Sequence, residues 1–225
     1  MNSRVSWGLA INIVAILIGL TASAQAGPPL ICHPVEIGQG NSLPWIDWNR
    51  KGSGSYELKN LTPDTQVILG SNTPVLVRME TLRRATLYAR LDQQVAKELL
   101  TRLYARATNS DAEGHSDPLA WFDVGYLVET YKQWIPEAES NPATGLDGYG
   151  WVKKALSLRG QDPEMEFAAA LITLAGPEGD HQDHVRKAIA GAKDDPLLAQ
   201  NLASTFNRQT ISDLLTNTLT GGLNK

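Results

Sequence analysis

The chain has 225 residues, with 20 Lys and Arg against 24 Asp and Glu, a formal net charge of −4 at pH 7. A mildly acidic chain without a basic run argues against nucleic acid as a partner. Its single cysteine, Cys32, excludes a disulfide within the chain. The length suits one domain with its own hydrophobic core.

The first 26 residues have the order of a secretory signal peptide. Arg4 precedes the apolar run VSWGLAINIVAILIGL, and Ala24-Gln25-Ala26 follows as an A-x-A cleavage site. The apolar run is at the lower limit for spanning a bilayer, which leaves an uncleaved N-terminal anchor as the alternative. We expect cleavage between Ala26 and Gly27 and export to the periplasm or the medium. No membrane association is expected after cleavage.

Residues 27–73 are predicted to form an extended N-terminal arm that lies on the helices. Between residues 27 and 60 the sequence holds Gly, Pro, Ser, Asn and two Trp, with little apolar periodicity. The stretches VEI (35–37) and SYEL (55–58) are candidates for short strands.

Thr-Pro or Asp-Pro dipeptides predict where helices begin. Thr and Asp are good N-caps, because their side-chain oxygen accepts a hydrogen bond from a free helix N–H. Proline is favoured at the first helical position, where its missing N–H costs nothing. The pairs occur at residues 62–63, 73–74, 117–118, 162–163 and 195–196.

Apolar periodicity after these dipeptides predicts amphipathic helices. After Thr73, apolar residues on one helix face recur at steps of three and four: Leu76, Met79, Leu82, Ala85 and Ala89. Similar patterns follow to a last helix, which opens with Thr210 and Asp213 at capping-box spacing. We therefore predict a mainly α fold of three stacked helical hairpins and a terminal helix pair, in one repeat-like domain over residues 74–225.

One segment resembles the tetratricopeptide repeat family. The W-x2-V-G segment at residues 121–125 is similar to the family's W-x2-L-G, and Pro163 and Pro196 match its closing proline. The resemblance covers about residues 74 to 205 and implies an α-solenoid of stacked hairpins. An irregular helical bundle is the alternative fold. Gly125 permits close approach of neighbouring helices in either fold.

The resemblance also implies a concave surface, lined by the first helix of each hairpin, that binds a peptide or a partner protein. Carried onto the matching repeat, the exposed concave positions are Phe122, Asp123, Tyr126, Glu129 and Thr130. Arg83 and Arg84 belong to the one basic cluster and could assist with an acidic ligand. The alternative for Phe122 and Tyr126 is burial in the core.

Two other segments contain residues that could react as a nucleophile or bind a metal ion. Cys32 precedes His33, but adjacent residues of an extended chain point to opposite sides, which favours a buried structural cysteine over a reactive thiol. His181 and His184 are three residues apart, so they share a helix face and are weak candidates for a zinc or copper site. The alternative is a polar helix start.

The sequence as a whole favours an exported, non-catalytic protein- or peptide-interaction module without a cofactor. The alternative function is a metal- or thiol-dependent activity at His181 and His184 or at Cys32.

Overall fold

The computed structural model describes residues 28–45, 56–137, 140–175 and 178–206. Within these ranges the protein is built from α-helices and short 3-10 turns, without a strand, which confirms the mainly α prediction. The α-helices are α1 (Pro29–Cys32), α2 (Leu61–Ile68), α3 (Val75–Ala89), α4 (Gln93–Ala112), α5 (Pro118–Trp134), α6 (Gly148–Arg159), α7 (Pro163–Ile172), α8 (Glu178–Gly191) and α9 (Pro196–Thr205).

The three Asp-Pro dipeptides begin helices as predicted. The aspartate is the N-cap of α5, α7 and α9, and proline occupies the first helical position. Each aspartate accepts a hydrogen bond from a backbone N–H of the first turn, at 2.9 Å for Asp117 and 3.0 Å for Asp162. These local contacts fix the starts of three helices without help from the rest of the fold.

The two Thr-Pro dipeptides behave differently. Helix α2 begins at Leu61, one residue before Thr62, and lies inside the range predicted for the arm. Helix α3 begins at Val75, after Pro74. The Thr73 hydroxyl donates to the Ile68 carbonyl at 2.5 Å, so it closes the turn after α2 rather than capping α3.

The strands suggested for the arm do not form. Residues 35–37 are irregular. Residue 55 of the second candidate lies outside the described residues, and the rest of that candidate leads into a 3-10 turn at Leu58–Asn60. No strand lies beside residues 35–37 in the part of the chain that the structure describes, and the backbone groups of Val35 and Glu36 bond to helix side chains instead.

The helices stack as hairpins around two buried central helices. Helix α5 packs on α6, and α7 packs on α8, while α4 and α3 pack on the other sides of α5. Nearly all of α3 and most of α5 are buried, so both helices belong to the core on more than one face. Stacking of helical hairpins is therefore confirmed.

A contact between two glycines sets the spacing of α5 and α6. A Cβ atom on Gly125 would lie 2.7 Å from the Gly148 carbonyl oxygen and 2.9 Å from the Val152 nitrogen. A Cβ on Gly148 would in turn lie 2.5 Å from the Gly125 carbonyl oxygen. The absence of side chains at both positions therefore lets the backbones approach, as predicted for Gly125.

Two predictions fall outside the described residues: the signal peptide at residues 1–26 and the last helix beginning at Thr210. Across the part of the chain that is described, no helix has both the length and the apolar character needed to cross a membrane.

Candidate functional site

Of the predicted arm, residues 28–45 lie across one face of the helical body. From here on, the arm means residues 28–45 alone. Its helix α1 contacts α3, α5 and α7. Four aliphatic side chains of the arm are 5% exposed or less: Leu30, Ile31, Val35 and Leu43. We call the face beneath the arm, contributed by α3, α5, α7 and α9, the arm-binding surface.

Polar side chains of the helices hold the backbone at the start of the arm. The Leu30 N–H donates to the Gln133 side-chain oxygen at 2.8 Å, and Arg83 Nη1 donates to the Ile31 carbonyl at 2.9 Å. Gln133 belongs to α5 and Arg83 to α3, so two helices contact adjacent residues of the arm. These bonds satisfy backbone groups that burial would otherwise leave without partners.

Asn201 on α9 holds the middle of the arm at two points. Its side-chain oxygen accepts from the Glu36 N–H at 2.8 Å, and its side-chain nitrogen donates to the Glu36 carbonyl at 2.9 Å. The same nitrogen also donates to the Leu197 carbonyl of its own helix at 2.9 Å, which fixes its orientation. One buried amide side chain thus bonds both backbone groups of Glu36.

The end of the arm is held by the basic part of α3. Arg84 Nη1 donates to the Leu43 carbonyl at 2.5 Å, and the Tyr88 hydroxyl donates to the Pro44 carbonyl at 3.3 Å. The Trp45 ring covers the Arg84 guanidinium, with 5.4 Å between the guanidinium carbon and the ring centroid. Cations are attracted to aromatic faces at such distances.

Glu80 balances the two arginines and contacts the arm directly. Its carboxylate accepts from Arg83 Nε at 2.7 Å, from Arg84 Nε at 2.6 Å and from the Val35 backbone N–H at 3.0 Å. Because Arg83 and Glu80 are both fully buried, each needs the other to offset the cost of leaving water. The charged floor of the arm-binding surface is therefore held by ion pairs within α3 as well as by its bonds to the arm.

Most of the residues predicted to be exposed on a concave surface are buried. Phe122, Asp123, Tyr126, Thr130 and Arg83 are each 0% exposed. The expectation of exposure is wrong, because periodicity does not show that α3 and α5 are covered on several sides. Their role in binding a partner stays a prediction. The open alternative for Phe122 and Tyr126, burial in the core, is the arrangement found.

Five of the seven predicted residues divide into two groups. Arg83 and Arg84 lie at the arm-binding surface. Asp123, Glu129 and Thr130 join helices to one another: the Thr130 and Thr86 hydroxyls are 2.7 Å apart, and Glu129 accepts from the Tyr149 N–H of α6 at 2.9 Å.

Asp123 belongs to a buried ion pair. Arg78 Nη1 donates to its carboxylate at 2.6 Å, and Arg106 is 3.8 Å away. Burial raises the pKa of Asp123 to about 6, against the opposing effect of the two arginines. This carboxyl group therefore joins α3 to α5 rather than facing a ligand.

Tyr126 differs from the other predicted residues that have a polar side chain. Its ring stacks on Phe122, with ring centroids 5.7 Å apart. Among the described residues its buried hydroxyl has no hydrogen-bond partner. Burial raises its pKa, and the charges that act on it are those of Glu80 and Arg83, two residues that hold the arm.

The histidines do not form a shared site. His184 Nδ1 pairs with Glu166, and its Nε2 is 2.8 Å from the Tyr149 hydroxyl, while His181 Nδ1 is 2.9 Å from the Ala170 carbonyl. In the ranges that the structure describes, no group of three His, Cys, Asp or Glu side chains is placed to hold a metal ion.

Cys32 is partly buried at the end of α1, where the positive charge of Arg83 acts on its thiol. Burial raises the pKa of its thiol, and this effect outweighs the opposing charge of Arg83. His33 is turned toward the Pro29 carbonyl, 3.2 Å from its Nδ1. Since the thiolate is the nucleophile, the arrangement does not activate this cysteine.

Sequence reasoning missed Glu80, Gln133 and Asn201. The spacing of Glu80 to Arg83 and Arg84, three and four residues, was a signal for ion pairs on one helix face. Nothing in the sequence singles out Asn201, whose partner is 165 residues away. Comparison with protein-family models, curated proteins and solved structures found no match to this chain.

Proposed function

We propose that the protein is a non-catalytic module that binds a peptide segment, and that its own arm occupies the binding surface in the resting state. One observation carries the proposal. Side chains from three helices, α3, α5 and α9, hydrogen-bond the backbone of the arm, with Asn201 contacting both backbone groups of Glu36.

Backbone recognition suits a peptide-binding protein. Hydrogen bonds to the backbone give affinity that depends little on residue type, while the burial of particular side chains supplies the specificity. Here the buried side chains are those of Leu30, Ile31, Val35 and Leu43. Glu36, whose backbone makes two hydrogen bonds with Asn201, exposes its side chain to solvent. The bonds with Asn201 are therefore independent of the residue type at position 36.

A tetratricopeptide-like array is the finer interpretation that we propose for the fold. Helices α3, α5, α7 and α9, the first helix of successive hairpins, all contribute to the arm-binding surface. That is the surface on which the resemblance places a partner. For an exported protein, such a partner would be another protein or peptide of the envelope or medium.

The test measures binding of a labelled peptide with the sequence of residues 28–45 to the purified protein. Wild type and a full-chain Ile31→Asp variant are compared, because a buried charge at position 31 displaces the arm. We expect the variant to bind the peptide well. Wild type binds it more weakly, since its tethered arm competes at an effective concentration of about 1 mM.

An Asn201→Leu change in the Ile31→Asp background removes the two-point contact with similar volume. It should weaken binding about 5- to 100-fold, as expected for the loss of two hydrogen bonds. Asn109→Leu, on the exposed surface of α4, is the matched control and should have no effect. The proposal fails if the folded Ile31→Asp variant binds the peptide no better than a scrambled peptide.

A further inference from the structure

The middle of the arm contains two glycines, Gly38 and Gly40, that are two residues apart. The Gly40 N–H donates to the Ile37 carbonyl at 2.9 Å and closes a turn. Gly38 lies inside this turn with a φ of 56°, in the left-handed region that favours glycine. A Cβ on Gly38 would lie 3.7 Å from its nearest neighbour, Leu197 Cδ2, which is an ordinary contact. The backbone conformation of the arm therefore accounts for Gly38.

Gly40 is required for a different reason, its contact with α3. A Cβ on Gly40 would lie 2.5 Å from Val77 Cγ2, closer than such atoms approach one another. Val77 is 4% exposed, and a β-branched residue in a helix is nearly confined to one rotamer, so its side chain cannot turn aside. The arm-binding surface therefore excludes a side chain at position 40.

The next turn of α3 contacts the arm through a hydroxyl group. Thr81 lies four residues after Val77, so the two side chains share one face of α3. Thr81 is 0% exposed, and its hydroxyl oxygen is 3.0 Å from the Ser42 hydroxyl oxygen. The arm residue after Ser42 is Leu43, which is 1% exposed. Two residues one helical turn apart on α3 thus contact Gly40 and Ser42 of the arm.

We propose that the peptide partner of the arm-binding surface carries the pattern that the arm has at residues 38–43: glycine, any residue, glycine, any residue, a hydroxyl-bearing residue and an aliphatic residue. Val77 and Thr81 are the residues that select this pattern. A partner with a side chain in place of Gly40 overlaps Val77, and a partner without the hydroxyl leaves Thr81 without its bond to the peptide. This inference rests on the proposed peptide-binding function and names the class of ligand.

The contact with Val77 predicts how strongly binding depends on Gly40. Overlap with a packed side chain weakens binding by about 5- to 100-fold. Part of this penalty is independent of Val77, because the new Cβ would also lie 3.0 Å from the Ile37 carbonyl oxygen and because alanine restricts the free peptide. A Val77→Ala change in the protein removes Cγ2 and makes room for the Cβ. The coupling between the two changes therefore isolates the contact.

The experiment measures dissociation constants of three labelled peptides of residues 28–45: the parent, Gly40→Ala and Gly38→Ala. Each is titrated into full-chain Ile31→Asp, in which the arm is displaced, and into the same protein with Val77→Ala. We expect Gly40→Ala to weaken binding about tenfold or more, and Val77→Ala to reduce this penalty at least about threefold. Gly38→Ala is the matched control, because its penalty lies in the backbone conformation and should be the same in both proteins.

A second cycle tests Thr81 in the same way. The Ser42→Ala peptide should bind the Ile31→Asp protein about 2- to 10-fold more weakly than the parent peptide. This penalty should disappear when the protein carries Thr81→Val, which removes the hydroxyl and keeps the shape of the side chain. Circular dichroism and thermal unfolding check that each protein is folded. If Ile31→Asp does not fold, the same changes are measured in wild type at higher peptide concentration, and if Val77→Ala does not fold, the Thr81 cycle decides.

The outcomes separate the inference from the proposed function. If the parent peptide binds but the penalty at either peptide position is absent, or is unchanged by the substitution beneath it, the inference is overturned and the proposed function stands. If no peptide binds to the folded proteins, the proposed function is overturned and the inference with it.

Discussion

Gly125→Ala tests whether the contact between α5 and α6 depends on two missing side chains. The added Cβ would lie 2.7 Å from the Gly148 carbonyl oxygen, 2.9 Å from the Val152 nitrogen and 3.0 Å from Val152 Cγ2. Two of these atoms belong to backbone inside α6, so rotation of a side chain cannot relieve the overlap. The helices must move apart, and the packing around them must follow.

The expected change in the free energy of unfolding is the difference between two opposing effects of the Gly125→Ala substitution. Alanine in a helix interior is favoured over glycine by about 0.5–1 kcal/mol. Overpacking of a well-filled contact costs about 1–3 kcal/mol, and a backbone contact belongs at the upper end of that range. We therefore expect Gly125→Ala to lower the free energy of unfolding by about 1–2 kcal/mol.

Urea unfolding followed by circular dichroism measures this change, provided that the transition is two-state. Gly179→Ala is the matched control, because Gly179 is exposed in α8 and a Cβ there would meet nothing within 4 Å. The control should be neutral or stabilising by up to about 1 kcal/mol. If Gly125→Ala is as stable as Gly179→Ala, the close approach does not determine how the hairpins stack.

Two further predictions concern ionisable groups. Because burial raises the pKa of the Cys32 thiol, iodoacetamide should alkylate it more slowly than free cysteine at the same pH; faster alkylation would contradict an inert thiol. Burial holds the Asp123 pKa at about 6, above its value of about 3.9 in an unfolded chain, so the folded protein binds this proton more tightly. Its contribution to the free energy of unfolding is complete below about pH 4 and is lost as the pH rises through 6. Urea unfolding of wild type and Asp123→Asn at several pH values should show this loss only in wild type, and parallel profiles would refute it.

The helices were predictable because their signals are local. Asp117, Asp162 and Asp195 each bond to the first turn of the helix that follows, and the sequence contains both partners within a few residues. The apolar face of α3 was predictable for the same reason. Periodicity does not reveal that the other faces of α3 are buried as well. Arg78 is held inside by Asp123, and Glu80 and Arg83 are held inside by each other and by the arm.

The candidate site was predictable only in part. Arg83 and Arg84 were identified from their charge, and both contact the arm. The placement of Asp123 and Thr130 on an exposed surface was wrong, because a repeat motif identifies a helix position but not what covers it. The bond between Glu36 and Asn201 joins residues 165 apart, and no local pattern encodes such a contact.

The path of the arm changes how the stack of hairpins can come apart. In a stacked array each unit contacts only its neighbours, so the ends can unravel while the middle stays folded. The arm crosses from Arg83 on α3 to Asn201 on α9, and thereby ties an early helix to the last described one. Opening of α9 therefore releases the middle of the arm, and loss of the arm removes a support of α9. We therefore expect the early helix and the last described helix to unfold together rather than one by one.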